Sequence, residues 1–191
     1  MQPELLWHVA GLDAELGADS IAFAAGPRTD LFTDPGGAEP QAGAPLLLGP
    51  AAGDFSLRAR VSAPLAATFD AAALVVWASP ASWAKLALEL SPEGESTIVS
   101  VVTRGVSDDA NGFTVPGSEA WLRVSRCGET LALHASADGE WWSLVRHFTL
   151  DGAREASAGF LVQSPTGEGL RGRFDEIVWS DAAPAALRDG S

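Results

Sequence analysis

The sequence predicts an all-β protein built as a sandwich or jelly roll. Apolar and polar residues alternate with a period of two along most of the chain, which is typical of half-buried strands. Turn-forming residues recur about every 8–12 positions, a spacing typical of two packed antiparallel sheets. No window of about a dozen residues carries the apolar stripe of an amphipathic helix. These three observations together favour two packed antiparallel sheets, as in a sandwich or jelly roll, over any mixed fold.

The clearest strand of the first half lies over residues 54–61. Its apolar residues Phe55, Leu57, Ala59 and Val61 occupy one face, and Asp, Ser and Arg occupy the other. The same alternation predicts a strand over 82–90, and further strands fit residues 69–78 and 96–103.

The stretch 120–150 predicts three consecutive antiparallel strands. The pairs Cys127-Gly128 and Asp138-Gly139 supply the two tight turns between them, and Asp-Gly is a favoured pair for type I′ hairpins. Two further strands are predicted over 156–163 and 170–180.

The remaining segments predict irregular structure within one domain over residues 1–191. Residues 34–53 are rich in Pro and Gly and predict a long loop. Residues 181–191 predict a frayed tail. Neither internal repeats nor a domain boundary are visible in the sequence.

Composition excludes several classes of partner. The net charge of −13, from 25 acidic and 12 basic residues, argues against nucleic acid, because phosphate binding needs a cationic surface. No apolar run approaches the roughly 20 residues that span a bilayer, so no membrane partner is predicted. The single cysteine, Cys127, excludes an intrachain disulfide, and the first residues lack a signal-peptide pattern. We therefore expect a cytoplasmic protein, and the sequence leaves its oligomeric state open.

The strand over 82–90 carries an unusual polar face. Trp83, Lys85, Ala87 and Glu89 lie opposite a face of leucine and alanine, and Lys85 is the only lysine of the chain. At about 3.3 Å per residue Lys85 and Glu89 are roughly 13 Å apart, so each needs partners on neighbouring strands.

We expect those partners to be Trp121 and Arg123, which face away from the apolar residues of their own strand. Arg146 shares a face with aromatic residues, and an unpaired buried arginine costs several kcal/mol. It is therefore expected either to pair with Glu89 or Asp70 or to line an open groove.

Two interpretations of this lysine stay open. A plain surface strand with a bias towards arginine elsewhere explains a single lysine without any function. Alternatively, a compact ammonium on a thin stem is needed where a guanidinium would not fit. A lysine beside a tryptophan and a carboxylate can donate hydrogen bonds to sugar hydroxyls or act on a carbonyl.

A series of motifs resembles one known protein family. In chain order they are TDLF (29–32), GDFSLRARV (53–61), FDAAALVVW (69–77), WAKLALEL (83–90), STIVSVVTRGVSD (96–108), WLRVSRCGETLALHASADGEWWSLVR (121–146), GFLVQSP (159–165) and FDEIVW (174–179). Over residues 5–180 this order of motifs resembles the DUF1349 proteins. The resemblance implies a concanavalin A-like lectin/glucanase fold with two curved antiparallel sheets, one of which forms a concave groove.

The resemblance also implies where polar residues lie. The W-x-K-x-x-x-E strand of the family corresponds to Trp83, Lys85 and Glu89, which the resemblance places in the groove. Its strand-leading Asp corresponds to Asp70, and its later Arg corresponds to Arg146. Its Ser-Asp pair corresponds to Ser107 and Asp108. This chain departs from the family pattern in having Ala71, Ala73 and Asp109 where Gln, Gly and an aromatic residue are usual.

Three functions remain open from the sequence. The first is binding of a saccharide or other small polar ligand, with Trp83 and Trp121 as stacking surfaces and Lys85, Glu89, Arg123 and Arg146 as hydrogen-bonding groups, joined by Asp70. The second is a glycoside-active enzyme, although the E-x-D-x-E pattern of glucanases is absent and Glu89 would need a cross-strand carboxylate such as Asp70. The third is a protein-interaction or regulatory module.

No cofactor and no metal site are predicted. His8, His134 and His147 lie on separate segments without the spacing of metal ligands. Residues 107–112, SDDANG, are acidic enough for Ca²⁺, but Asn111-Gly112 is also a plain turn signal, and we favour a turn there.

Overall fold

The computed structural model describes residues 3–191, which form a sandwich of two seven-stranded antiparallel sheets. Along the chain the strands are β1 Leu6–Val9, β2 Leu12–Leu16, β3 Ile21–Ala25, β4 Leu31–Phe32, β5 Gln41–Ala42, β6 Leu46–Pro50, β7 Phe55–Ser62, β8 Ala71–Ser79, β9 Ser82–Leu90, β10 Ser96–Arg104, β11 Val106–Thr114, β12 Glu119–Cys127, β13 Thr130–Ser136, β14 Ser143–Thr149, β15 Ser157–Gln163 and β16 Leu170–Ser180. Sheet A has the order β1-β6-β15-β8-β9-β10-β11, and sheet B has the order β14-β13-β12-β7-β16-β3-β2. Strands β4 and β5 form a separate two-stranded ribbon. The predicted fold class is confirmed.

The main core lies between the two sheets. Phe23 stacks on Phe174 at 5.8 Å between ring centroids, and Phe160 of sheet A meets Phe174 at 4.9 Å, so aromatic contacts join the layers. The only helix among residues 3–191 is a 3-10 turn at Ala153–Glu155, and no helix there is long and apolar enough to cross a bilayer.

All nine strands predicted from the sequence are present, as β7 to β10 and β12 to β16. The two predicted tight turns contain Gly128 and Gly139, which adopt φ values of 58° and 78°. Only glycine takes this backbone conformation at little cost, which explains its place in both turns.

The prediction of a loop over 34–53 is wrong for Leu46–Pro50, which form β6 between β1 and β15. The favoured turn over 107–112 is also wrong, because these residues lie in edge strand β11 and the turn comes earlier, at Gly105. At the far end, Leu187 and Gly190 accept hydrogen bonds from side chains of sheet B, in a segment that was expected to be frayed.

A further difference concerns the outer face of sheet A, which is largely covered. Residues 29–44, here called the covering segment, run from β15 to β11 across this face. Thr29 is hydrogen-bonded to Ser164 just after β15. At the other side the backbone of Thr33 exchanges hydrogen bonds with Ser107 of β11. The segment is thus attached next to the end of β15 and at the edge strand β11.

Apolar packing holds the covering segment down. Leu31 and Ala44 join a second buried cluster together with residues of the outer face, namely Leu46, Leu48, Ala71, Ala73, Val75, Trp83, Ala87, Val99, Val101 and Leu161. Burial on both faces explains why the strands of sheet A contain so many apolar residues.

Candidate functional site

The covering segment leaves a cavity of about 290 Å³ over sheet A. The cavity is lined by Asp30 and Phe32 of the covering segment, Phe69, Lys85, Glu89, Val99, Val101, Asp109 and Gln163. A volume of this size equals about ten waters at about 30 Å³ each, which is room for one sugar ring or a molecule of similar size.

The register of sheet A places polar and small residues side by side on its outer face. Glu89 is paired with Ala71 of β8, which is paired with Gln163 of β15. One row further, Ala73 faces Ala87. The short alanine side chains lie between the longer polar ones and are fully buried in the cluster under the covering segment.

The alternation of β9 points Lys85 and Glu89 to the same outer face, as the sequence predicted. Lys85 is 2% exposed, and its Nζ donates hydrogen bonds to the carbonyl oxygen of Leu31 and to Oε1 of Gln163, both at 2.7 Å. Asp30 Oδ1 lies 3.7 Å from the same nitrogen. Lys85 therefore joins the covering segment to β9 and β15, and the surface-strand interpretation does not describe it.

The amide of Gln163 is fixed in one orientation. Its Oε1 accepts from Lys85, so its Nε2 points the other way and donates to the carbonyl oxygen of Phe69 at 3.2 Å. Lys85 and Gln163 are thus held in fixed positions by contacts within the protein.

Phe69 is an aromatic residue in a strained conformation at the edge of the cavity. Its φ is 69°, in the left-handed region that costs a residue with a Cβ about 1–2 kcal/mol. Its side chain is 41% exposed although it lines the cavity. Hydrogen bonds from Phe69 N to Leu90 O and from Gln163 to Phe69 O hold this backbone in place. An aromatic surface held at this cost is typical of a binding position.

The protonation of the site depends on its burial. Burial lowers the pKa of Lys85, while the carboxylates of Asp30, Glu89 and Asp109 raise it. Burial raises the pKa of Glu89 to about 7, Lys85 lowers it, and Asp30 and Asp109 raise it again. The carboxyl group of Glu89 therefore changes between its protonated and its ionised form near neutral pH, as groups at functional sites often do.

Replacing Glu89 by glutamine should remove one component of the pH dependence of stability. The folded protein keeps the Glu89 proton up to about pH 7, whereas the unfolded chain releases it near 4.5, so this group makes the free energy of unfolding fall between those pH values. His134, whose pKa burial lowers to about 4, has the opposite slope in both proteins. The difference between variant and wild type should therefore grow in favour of Glu89→Gln by about 2 kcal/mol from pH 5 to pH 8. Urea unfolding at both pH values measures it, and a constant difference would contradict it.

A larger depression of about 430 Å³ on sheet B offers fewer free polar groups than the cavity over sheet A. Its charged residues are already paired, since Arg171 contacts Glu15 at 2.7 Å and Arg173 contacts Asp175 at 2.8 Å. Exposed pairs of this kind are solvated and leave no free group for a ligand.

The structure does not bring together all the residues that the sequence singled out. Trp121 and Arg123 were expected beside Lys85 and Glu89, and this is wrong because β12 belongs to sheet B. Trp121 donates to Glu176 at 3.1 Å. Arg123 donates to Gly190 O and lies over the ring of Trp142 at 4.4 Å.

Arg146 and Asp70 also lie outside the cavity. Arg146 pairs with Asp108 at 3.0 Å and so joins the edge strands of the two sheets, rather than pairing with Glu89 or Asp70. Asp70 is 1% exposed, and its carboxylate accepts from Ser164 Oγ at 2.6 Å and from two backbone amides of the preceding turn. Its role visible in the structure is to fix that turn.

Trp83 lies on the predicted face but presents no free surface. It is 1% exposed within the cluster under the covering segment, with Lys85 Nζ 5.9 Å from its ring centroid. The aromatic residues that line the cavity are Phe32 and Phe69, which the sequence pattern does not mark. Asp30 and Gln163 are not marked by the pattern either, because their positions depend on contacts far apart in the sequence.

Within residues 3–191, no group of three or more His, Cys, Asp or Glu side chains converges in a way that could hold a metal ion. His134 lies on β13 of sheet B, where it contacts Leu187 O, whereas the cavity lies over sheet A.

Comparisons with known proteins agree with this fold. A family model described as "Protein of unknown function (DUF1349)" matches residues 7–182. "Regulation of enolase protein 1" of Saccharomyces cerevisiae is 31% identical over 140 residues, covering 71% of this chain and 68% of that protein. A functionally unknown protein from Saccharomyces cerevisiae superposes with a TM-score of 0.85 at 22% identity, over 92% of this chain and 95% of that one.

Larger glycosidases contain a part with the same fold. The xylan beta-1,4-xylosidase from Bacillus halodurans C-125 superposes with a TM-score of 0.67 at 14% identity over 94% of this chain, which spans only 39% of that enzyme. At this identity the likeness concerns the fold alone. The match over almost the whole chain and the 31% identical relative show that this protein belongs to the DUF1349 family.

Proposed function

We propose that this protein binds one small polar ligand, a monosaccharide or a molecule of that size, in the cavity over sheet A. The observation that carries the proposal is the composition of the cavity wall, where Phe32 and Phe69 lie together with Lys85, Glu89 and Gln163. A sugar ring has an apolar face of C–H groups and a rim of hydroxyls, so it needs both kinds of partner.

The hydrogen-bonding groups suit hydroxyls. Carboxylates accept from hydroxyls, and Gln163 Nε2, which uses one of its two N–H groups on Phe69 O, can donate the other to a hydroxyl. Lys85 holds Leu31 and Gln163 in place. The volume of about 290 Å³ is near the lower limit of about 300–1,000 Å³ that is usual for ligand pockets. This favours a single ring. Sandwich folds also occur within glycosidases such as the xylosidase above, which is compatible with a saccharide ligand.

Binding is a better description than glycoside hydrolysis. A retaining glycosidase needs two carboxyl groups about 5–5.5 Å apart. The cross-strand candidate Asp70 is occupied by Ser164 and the backbone of Ala66 and Ala67. The neighbours of Glu89 on the same face of β9 are Ala87 and Lys85. Of the other carboxylates in the cavity, Asp30 is paired with Lys85, and Asp109 is in register with Lys85, four residues along β9 from Glu89.

Phe69 provides the sharpest test of the proposal. We expect both Phe69→Gly and Phe69→Ala to weaken binding of D-glucose about three- to tenfold, because an aromatic contact contributes about 0.5–1.5 kcal/mol. Glycine tolerates the φ of 69°, so Phe69→Gly should be more stable than Phe69→Ala by about 1 kcal/mol. Affinity is measured by ¹H–¹⁵N NMR titration, and stability by urea unfolding.

The matched control is Trp141→Ala, which removes an aromatic residue that is 80% exposed and lies outside the cavity. It should leave the titration unchanged. In the wild type, saturable shifts should be concentrated at the amides of Phe69, Glu89 and Gln163. No saturation with neutral pentoses or hexoses, or shifts concentrated at Trp141, would contradict the proposal.

A regulatory interaction with another protein is the second candidate function. It is favoured by the 31% identical yeast relative, which is named for the regulation of enolase. A chain that binds no saccharide but changes the activity of an added enolase would support this alternative.

A further inference from the structure

The charges around the cavity are unbalanced. Three carboxylates, those of Asp30, Glu89 and Asp109, line it together with the single ammonium of Lys85. When all four groups are ionised, the cavity holds an excess of two negative charges.

Lys85 has little capacity left for a ligand. Two of its N–H groups donate to Leu31 O and to Gln163 Oε1, and its charge is paired with Asp30 at 3.7 Å. An anionic ligand such as a uronate would therefore find no free cation, and it would be repelled by Glu89 and Asp109.

Glu89 and Asp109 are the two carboxylates without a cation of their own. Within residues 3–191, every ion pair closer than 4.0 Å involves other acidic residues. Glu89 is half-buried, whereas Asp109 is exposed at the rim. A half-buried carboxylate gains more from a cation than an exposed one, because less water solvates and screens it.

The arrangement of Glu89 and Asp109 does not suit a bare metal ion as their cation. Lys85, Val101 and Asp109 are in register across β9, β10 and β11, while Glu89 lies four residues further along β9. This places Glu89 and Asp109 at different ends of the cavity, in agreement with the absence of converging metal ligands among residues 3–191. A cation carried on a polar organic frame can reach Glu89 and fill the remaining volume.

We propose that the ligand of this cavity is an amino-substituted monosaccharide, whose ammonium group is bound by Glu89. This inference rests on the proposed function and names its ligand class. The ring would contact Phe32 and Phe69, and its hydroxyls would donate to the remaining carboxylates.

The test compares D-glucosamine with D-glucose, which differ only in an amine that replaces one hydroxyl. At about pH 6.5 an amine with a pKa near that of an α-amino group, about 7.7–8.0, carries its charge. We expect wild-type protein to bind glucosamine about tenfold more tightly than glucose, and to bind neutral N-acetylglucosamine and anionic glucuronate no better than glucose. Calorimetry and NMR titration measure the affinities.

Two variants distinguish a direct contact between the ammonium group and Glu89 from a general attraction by the net negative charge of the protein. Glu89→Gln should bind glucose and glucosamine equally, and it stays folded because it removes a carboxylate whose ionisation is costly. Glu93→Gln removes the same charge from an exposed turn outside the cavity and should keep the tenfold preference.

Proton release gives a second readout. Since the ammonium favours ionised Glu89, binding of glucosamine should release protons from the wild type but not from Glu89→Gln, as calorimetry in buffers of different ionisation enthalpy detects. Equal affinity of the wild type for glucose and glucosamine would overturn the amine inference and leave saccharide binding intact. A preference that survives in Glu89→Gln, or tightest binding of glucuronate, would also overturn it. If no sugar binds, both proposals are wrong.

Discussion

Replacement of Lys85 by methionine is expected to lower the free energy of unfolding by about 2–4 kcal/mol, since it removes the donor of two buried hydrogen bonds and one partner of an ion pair. Methionine matches the length of the lysine stem, so little of the loss comes from packing. Leu31 O and Gln163 Oε1 would remain buried without a donor. Asp30 would lose its nearest cation. Because its side chain is partly exposed, solvation by water would compensate for part of the lost attraction.

The loss should be concentrated in the covering segment. Amide hydrogen exchange of residues 29–33 should accelerate more than that of the strands in the main core, because Lys85 holds Leu31 to the sheet. The control Arg28→Met removes a cation that is 70% exposed and pairs with Glu168 at 3.5 Å; it should change stability by less than about 0.5 kcal/mol. A Lys85→Met protein as stable as the wild type would contradict a structural role for this lysine.

Replacement of Gly159 by alanine should be at least as costly. A Cβ atom at this position would lie 2.0 Å from the carbonyl oxygen of Leu47 and 3.0 Å from the Cα of Leu48, both in the backbone of β6. Neither atom can move without breaking the pairing of β6 with β15. We expect a loss of about 4 kcal/mol or more, with a melting temperature lower by about 10 °C.

The matched control for this variant is Gly43→Ala. A Cβ at Gly43 would have no neighbour within 4 Å, and its φ lies outside the left-handed region, so the change should cost less than about 0.5 kcal/mol. Differential scanning calorimetry compares the two variants. Equal melting temperatures would mean that β6 and β15 can separate freely. That would also affect the site, because β15 carries Gln163.

The sequence pattern was sufficient for nine strands, among them β8, β10 and β15, which are buried on both faces along most of their length. It failed for β6, whose buried run of Leu46, Leu47 and Leu48 is short and lies between segments rich in Gly and Pro. It failed for β11 for the opposite reason. Residues 107–112 are mostly polar and exposed on an edge strand, so their pattern is that of a turn.

The candidate site was predictable only in part. The spacing of Lys85 and Glu89 along one strand fixed their common face. Which strands are neighbours is a matter of topology, and alternation does not contain it, so Trp121 and Arg123 were assigned to the wrong sheet.

The packing of the covering segment on sheet A could not be predicted from the sequence pattern either. It buries Trp83 and supplies Asp30 and Phe32 through contacts that no local pattern encodes. The left-handed backbone of Phe69 is likewise a result of tertiary hydrogen bonds.

The hydrogen bonds of Lys85 with Leu31 and Gln163 also affect the order in which the protein folds during its synthesis. Leu31 lies 54 residues before Lys85 in sequence, and Gln163 lies 78 residues after it. Closing such long loops delays the contacts that depend on them. A polypeptide emerging from the ribosome cannot complete the cavity until Gln163 has been synthesised and β15 has entered the sheet. The cavity is therefore completed at a late stage of biogenesis, well after the hairpins of β8, β9 and β10 can form.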